Sequence, residues 1–440
     1  MSESNSSKNG FIVSGQGIDR ISVHGYKSLY EECSIEVRPL TILAGANSSG
    51  KSSIMQPLLL LKQTLEASYD PGALLLNGPN VKFTSADQLL SKLSGKNHSD
   101  SFTVKIDMEN YLGTDFLIST FTKQPKQGIQ VVRSTYHIVD HIVDDEITIS
   151  PDMNHQELLK ILPYWLQERG MIPEGWNVSR IRGFLEVQQG NGLLFSSTLS
   201  SNFQQQIRRL IHVPGLRGNP ERSYNTTAVG QEFPGTFENY VASVISHWQN
   251  TEDDRLIKLE ADLEKLGLTW KVDAKQLNDV QIELRVGRLP RSSEASDMVS
   301  IADVGLGVSQ TLPVLVALLV AEPGRLVYLE QPEIHLHPRA QVALAEILAD
   351  AANRGVRVVL ETHSELLLLA VQSLVAEGKL SPDLVKLHWF KRREDGVTEV
   401  SSTDLDAAGA FGDWPEDFSD VSLKLESRYL DAAEARLINN

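Results

Sequence analysis

The stretch LTILAGANSSGKSS, residues 40–53, constrains this chain more than any other. It fits G-x-x-x-x-G-K-[ST] through Gly45, Gly50, Lys51 and Ser52. An apolar run from Leu40 to Leu43 precedes it as a strand. Ile54, Leu58, Leu61 and Leu65 follow at helical spacing, and Pro57 is expected to kink that helix. A strand, a glycine loop and a helix in this order make a phosphate cradle. The glycines let backbone N–H groups wrap around the phosphates, and the helix N-terminus adds partial positive charge. Lys51 is expected to neutralise the outer phosphates and the Ser52 hydroxyl to ligate Mg²⁺. The candidate ATP-binding set is Gly45, Asn47, Ser48, Ser49, Gly50, Lys51, Ser52 and Ser53. The motif specifies a nucleoside triphosphate site without specifying an enzyme.

Such a cradle needs a carboxylate at the end of a neighbouring strand to hold the Mg²⁺ shell. GRLVYLEQPE supplies Glu330 after four apolar residues, at the carboxyl end of its strand, where α/β sheets bind ligands. The next helix is amphipathic at Leu344, Ile347, Leu348 and Ala351 and stops at Gly355. A further apolar strand, VRVVLETHS, ends in Glu361, Thr362, His363 and Ser364. His363 is placed to sense or polarise the γ-phosphate, against the alternative of a structural histidine. Upstream, SIADVGLGVSQTLPVLVALL puts Gly305, Gly307 and Ser309 at a helix start, with Pro313 expected in the first turn. Read alone, that is a tight turn before a core helix or a second anion site.

The 440 residues carry a net charge of -16, which argues against a sequence-independent nucleic-acid coat. DNA binding stays possible through a local groove, but the charge does not indicate it. The single cysteine, Cys33, rules out an intrachain disulfide. The polar start MSESNSSKNG is not a secretory signal. The longest apolar runs fall short of the roughly 20 residues a membrane helix needs. A cytoplasmic protein with no membrane role is expected.

Strands alternating with helices imply an α/β layer. The boundaries read as a disordered tail at 1–17, an N-terminal half of the nucleotide-binding unit at 18–95 and an inserted α+β section at 96–296. A C-terminal half follows at 297–400, then an acidic segment at 401–440. The insertion opens with strand-like runs (FTVKIDM, GIQVVRSTYHIV). It continues with helical ones (HQELLKILPYWLQERG, FENYVASVISHWQ, TEDDRLIKLEADLEKLG) and ends in a linker-like RVGRLPRSSEASDM. Within it, Arg217 and Arg222 flank a Gly-Asn-Pro turn, either as solvated loop arginines or as contacts to phosphate, a partner or a second copy.

The order of these motifs resembles the ABC-type ATPase heads of the SMC, RecF and OLD group. GVSQTLPVLVALL, LEQPEIHLHP, ETHSELLLL and FGDWPEDF are similar to bacterial AAA-type ATPases with a short C-terminal domain of unknown function. The resemblance covers residues 18–95 and 297–425. It implies a P-loop NTPase fold with a mixed sheet flanked by helices, and a homodimer, or higher homo-oligomer, with ATP held between copies. Gly305, Gly307 and Ser309 would then act in trans, His335 to Pro338 would stand in the D-loop's place, and His363 would be the switch histidine. It also implies an effector partner such as a nuclease, in anti-phage defence or DNA metabolism. The chain departs from its relatives in several ways. The signature is not LSGGQ, no zinc hook or long coiled coil is present, and too few residues follow the head for a TOPRIM nuclease. Gln88 is the candidate Q-loop glutamine. A metal site on Glu333, His335 and His337, which alternate along the chain, is the rival reading of that turn.

Where the group usually carries a catalytic glutamate, this chain has Gln331. An amide orients water but does not take its proton. The catalytic set is therefore Glu330, Gln331, Glu333 and His363, with Glu333 as a substitute base and Ser52 and Glu330 at the metal. Three readings follow: an ATPase that dimerises and controls a partner, a nucleotide-gated scaffold with little turnover, and a repair-type ATPase that binds DNA directly.

Overall fold

Two burial patterns in the sequence build two different sheets. The computed structural model describes residues 17–93, 95, 98–109, 113–140, 143–161, 176–189, 199–288, 297–412 and 427–431. Strands β3 (Leu40–Gly45), β15 (Leu326–Glu330) and β16 (Arg357–Glu361) are apolar runs, buried along nearly their whole length. Buried on both faces, they pair in parallel, as such strands do. With β10 (Ile211–Val213), β17 (Val385–Arg392) and β18 (Thr398–Thr403) they form a six-stranded sheet in the order β10-β15-β16-β3-β17-β18. Only the β17–β18 pair is antiparallel.

Strands β4 (Ser101–Glu109) and β5 (Thr114–Gln124) alternate buried and half-buried residues, the mark of a sheet with one wet face. They join β1 (Gly17–His24), β2 (Cys33–Glu36), β6 (Gly128–Asp140) and β7 (Val143–Ile149) in an antiparallel sheet, order β2-β1-β4-β5-β6-β7. Helix α1 (Lys51–Glu66) lies between the two sheets. Its Leu58, Leu59 and Leu61 share one core with Ile21, Val104 and Leu117 of the antiparallel sheet and with Tyr328 and Val359 of the parallel one.

A pair β8 (Trp176–Ile181) and β9 (Phe184–Gln189) stands near helices α2 (His155–Ile161) and α3 (Ser201–Arg209). A small sheet of β11 (Tyr224–Asn225), β12 (Val272–Asn278), β13 (Gln281–Gly287) and β14 (Met298–Ser300) packs against helix α4 (Val241–Asn250). A second core gathers α4, α5 (Asp254–Lys265), α6 (Leu306–Val320), α7 (Pro338–Asn353) and α8 (Glu365–Ala376) on the other face of the parallel sheet. No helix among the described residues is long and apolar enough to cross a membrane.

The structure corrects three expectations. The boundary drawn between residues 95 and 96 divides β1 and β2 from strands hydrogen-bonded to them, so β4–β7 belong with the N-terminal half. The same supposed insertion supplies β10, an edge strand of the parallel sheet. Pro313 lies in the interior of α6, not in its first turn. The tail at 1–16, the latter part of HQELLKILPYWLQERG, most of the linker and the FGDWPEDF segment beyond Gly412 lie outside the described residues.

Candidate nucleotide site

The carboxyl ends of β3, β16 and β15 lie side by side, and each delivers a functional group. β3 ends at Gly45, whose φ of 139° suits glycine alone and whose added Cβ would meet Phe390 O at 2.2 Å. Gly50 caps α1 at φ 107°, where a Cβ would lie 2.6 Å from Thr398 Oγ1. Thr398 donates to Ser49 O at 2.7 Å and so braces the loop from β18. Asn47 and Ser48 are exposed, and Ser49 Oγ is buried without a partner. Lys51, only 5 % exposed, folds its ammonium over the loop and donates to Gly45 O at 2.9 Å and Ala46 O at 2.8 Å. Burial lowers its pKa, and Glu361 partly offsets this.

Ser52 Oγ donates to Glu361 Oε2 at 2.9 Å. The carboxylate nearest the loop is therefore not Glu330, because β16 lies between β3 and β15. Glu361 pairs in register with Glu330 on the next strand. Its other oxygen accepts from the Tyr328 hydroxyl. Burial pushes Glu361 up to about 7, and the Glu330 charge adds to that; Tyr328, Ser52 and Lys51 pull the other way. Glu330 goes the opposite way. Burial raises it, but His212 and the Gly215 N–H outweigh burial and leave it below the ordinary value.

Gln331 stands just past the strand with φ 43°, a left-handed conformation that few non-glycine residues adopt. Its N–H donates to Glu361 O at 2.9 Å. Glu333 is buried, and its Oε1 accepts from Thr362 Oγ1 at 2.6 Å and His363 N at 3.0 Å. It braces the end of β16. His335 and His337 are exposed, and His337 caps α7 through Nδ1. No group of three metal-ligating side chains occurs among the described residues, so Glu333, His335 and His337 do not converge. His363 is half-buried. Its pKa is lowered by burial and by the Lys51 charge, so the ring is neutral at neutral pH.

Lys27, Lys51, Lys92 and Arg392 line a cleft of about 440 Å³ together with Ser48 to Ser53 and Gln56. Four cations, a helix N-terminus and a buried unpaired hydroxyl suit a triphosphate with its Mg²⁺. Glu361 adjoins the cleft through Ser52, and Glu330, Gln331, Glu333 and His363 are not among the residues that line it. Lys27 donates to Gln56 Oε1 at 2.6 Å. Gln88 lies elsewhere: its Oε1 accepts from Thr84 N at 2.8 Å in a capping box with Ser85. Gly305, Gly307 and Ser309 begin α6 beside the HLHP turn, with Gly307 facing His335 O, and none of them lines this cleft. Arg222 is a surface arginine paired with Asp303 at 2.6 Å. Arg217 is buried and does not line this cleft. It donates to Gln310 O at 2.8 Å and Glu330 O at 2.9 Å, joining α6 to β15.

Residues 17–157 match the family described as "AAA ATPase domain". Residues 209–370 match the one described as "AAA domain, putative AbiEii toxin, Type IV TA system". No curated protein matches the sequence. Among solved structures, an SMC head bound to the C-winged helix domain of ScpA is similar at 14% identity and a TM-score of 0.50, over 89% of this chain and 99% of that one. The SMC head domain from Thermotoga maritima is 10% identical, with a TM-score of 0.41 over 88% of this chain and 98% of that one. The Pyrococcus furiosus SMC head with an extended coiled coil, bound to the C-terminal domain of ScpA, is 12% identical, with a TM-score of 0.44 over 88% and 96%. One AAA match carries the glycine loop, the other spans the strands that end in Glu330 and Glu361, and the fold is similar to that of an SMC head.

Proposed function

We propose that this head binds Mg-ATP in the cleft, pairs with a second copy when ATP is bound, hydrolyses it slowly and thereby controls an effector protein. The observation that carries the reading is the Ser52–Glu361 contact at the mouth of the glycine loop, with Glu330 one strand away. Bound Mg-ATP would supply the phosphoryl group and the cation that offsets its charge. Lys51 would exchange its two loop carbonyls for phosphate oxygens, and Ser52 and Glu330 would hold the metal's shell. The Gln331 amide would orient water, and the neutral His363 ring would offer a hydrogen bond beside Lys51. The half-exposed Leu306 and Ile334, one beside Gly307 and the other just before the HLHP turn, support a pairing face there. The AbiEii description supports a place in defence. The ScpA complexes of similar heads support a partner protein, and a nuclease is one effector class that fits.

Fluorescent-ATP titration with Mg²⁺ tests the reading. Wild type is expected to bind at micromolar concentrations and Lys51→Ala at least about 100-fold more weakly, since buried charge-assisted phosphate contacts are lost. Equal binding by both proteins, or none by wild type, overturns it.

Gln331 favours a second reading, a nucleotide-gated scaffold with little turnover. Gln331→Glu is expected to raise steady-state turnover by about 10-fold or more, because a base then faces the water that the amide only orients. Glu333→Gln is expected to weaken the brace on Thr362 and His363 without supplying or removing a base. Fast wild-type turnover that Lys51→Ala abolishes would sink the scaffold reading.

A further inference from the structure

His212 is 1 % exposed, and both its ring nitrogens are engaged. Nε2 lies 3.1 Å from Glu330 Oε1, and Nδ1 lies 3.1 Å from Asn80 Nδ2. The Asn80 amide nitrogen also donates to Gly235 O at 3.1 Å, so turning the amide over would set oxygen against oxygen. An amide nitrogen only donates. His212 Nδ1 must therefore accept, and the ring's proton sits on Nε2, aimed at Glu330. The ring stacks on Tyr328, its register partner on β15, at 5.4 Å and 13°. The second Glu330 oxygen accepts from Gly215 N at 3.0 Å. Each oxygen of Glu330 is thus held from β10 and the turn after it. Asn80 is held in turn by α1, where Gln63 Oε1 accepts from Asn80 N at 3.2 Å and Val81 N at 3.0 Å.

We propose that His212 is a positioning residue for the metal-shell carboxylate: Asn80 fixes its tautomer, and its Nε2–H holds the Glu330 carboxylate that would join the shell of a bound Mg²⁺. The proposal rests on the Mg-ATP reading above. Its logic is that of outer-shell partners of metal ligands, which orient a carboxylate without touching the ion and whose loss costs 10–100-fold in metal affinity. A ring that merely filled the core would do none of this, and the two roles separate by measurement.

Fluorescent-ATP binding is titrated with Mg²⁺ and, separately, measured in EDTA. His212→Phe keeps the stacked ring but removes the donor. It is expected to raise the Mg²⁺ concentration for half-maximal binding about 10-fold or more, with affinity in EDTA unchanged. His212→Gln, whose amide nitrogen can donate to Glu330, is expected to restore wild-type Mg²⁺ dependence to within about threefold. Direct Mn²⁺ binding, followed by electron paramagnetic resonance with ATP present, is expected to show the same order. If His212→Phe does not fold, Asn80→Ala, which frees the tautomer but keeps the ring, carries the test and is expected to shift the Mg²⁺ midpoint alone. An unchanged Mg²⁺ midpoint in a folded variant overturns the proposal, as does an equal loss of affinity with and without Mg²⁺. Wild type that binds no ATP at all overturns the parent reading instead.

Discussion

Arg217→Ala is expected to destabilise the fold by roughly 3–5 kcal/mol, the summed cost of leaving several buried carbonyls without their charged donor at about 1–3 kcal/mol each. The guanidinium is buried and donates in four directions. Nε reaches Pro214 O at 3.0 Å, Nη1 reaches Gln310 O at 2.8 Å, and Nη2 reaches Glu330 O at 2.9 Å and Gln331 O at 3.3 Å. Burial lowers its pKa, and the charges of Glu238, Glu333 and Glu330 offset that. Without the guanidinium, buried carbonyls lose their donors and three carboxylates lose a counter-charge. Gln310 Nε2 answers from α6 by donating to Gly218 O at 2.9 Å, so the loop and the helix start are clamped together. Lysine is not expected to rescue, because one ammonium does not reproduce a planar fork. Urea unfolding of wild type, Arg217→Ala and Arg217→Lys checks this; a loss under about 1 kcal/mol would return Arg217 to the solvated class. Because Arg217 holds the carbonyl of the left-handed Gln331, turnover should fall with stability.

Much of this site could be read from the chain because its signals are local. The glycine loop needs positive φ at Gly45 and Gly50, and a strand before it and a helix after it; all three show as residue types over fourteen positions. The apolar run before Glu330 marks a strand buried on both faces. What stayed hidden is pairing between distant segments. Periodicity along β16 does not say that it lies between β3 and β15, and that position alone makes Glu361 the partner of Ser52. The same holds for β10, whose three residues carry His212 to Glu330, and for Asn80, which meets His212 across 132 positions. Arg217 looked like a solvated or phosphate-binding arginine because its partners are carbonyls, which leave no trace in composition. The boundary at residue 95 failed for a related reason: alternation identifies β4 as a half-buried strand but not the sheet it joins.

Glu361→Gln is expected to stabilise the nucleotide-free protein and to weaken its response to Mg-ATP, opposite signs that mark a functional carboxylate. Glu361 is 3 % exposed, and burial lifts its pKa from 4.5 to about 7. The folded state therefore binds more protons than the unfolded one between those values, and stability falls as pH rises through that window. Below 4.5 the contribution is fully present; above 7 it is lost, at a cost of up to about 3 kcal/mol. Glutamine has no charge to bury, still accepts one hydroxyl and can donate to the other. The variant should match wild type near pH 4.5, gain on it as pH rises and hold a plateau above pH 7. Glu186, raised to about 8, and His388, lowered to about 4, titrate over overlapping ranges, so only the difference between the two proteins isolates Glu361. With Mg-ATP the order reverses, because the strain of an ionised Glu361 between Ser52 and Glu330 is relieved when a cation arrives, and glutamine has no such strain to release. Thermal unfolding from pH 4.5 to 8.5, with and without Mg-ATP, gives all four curves. A Glu361→Gln protein less stable than wild type at pH 8 would make Glu361 a structural hydrogen-bond acceptor, and Ser52 would then need Glu330 alone as its carboxylate at the metal.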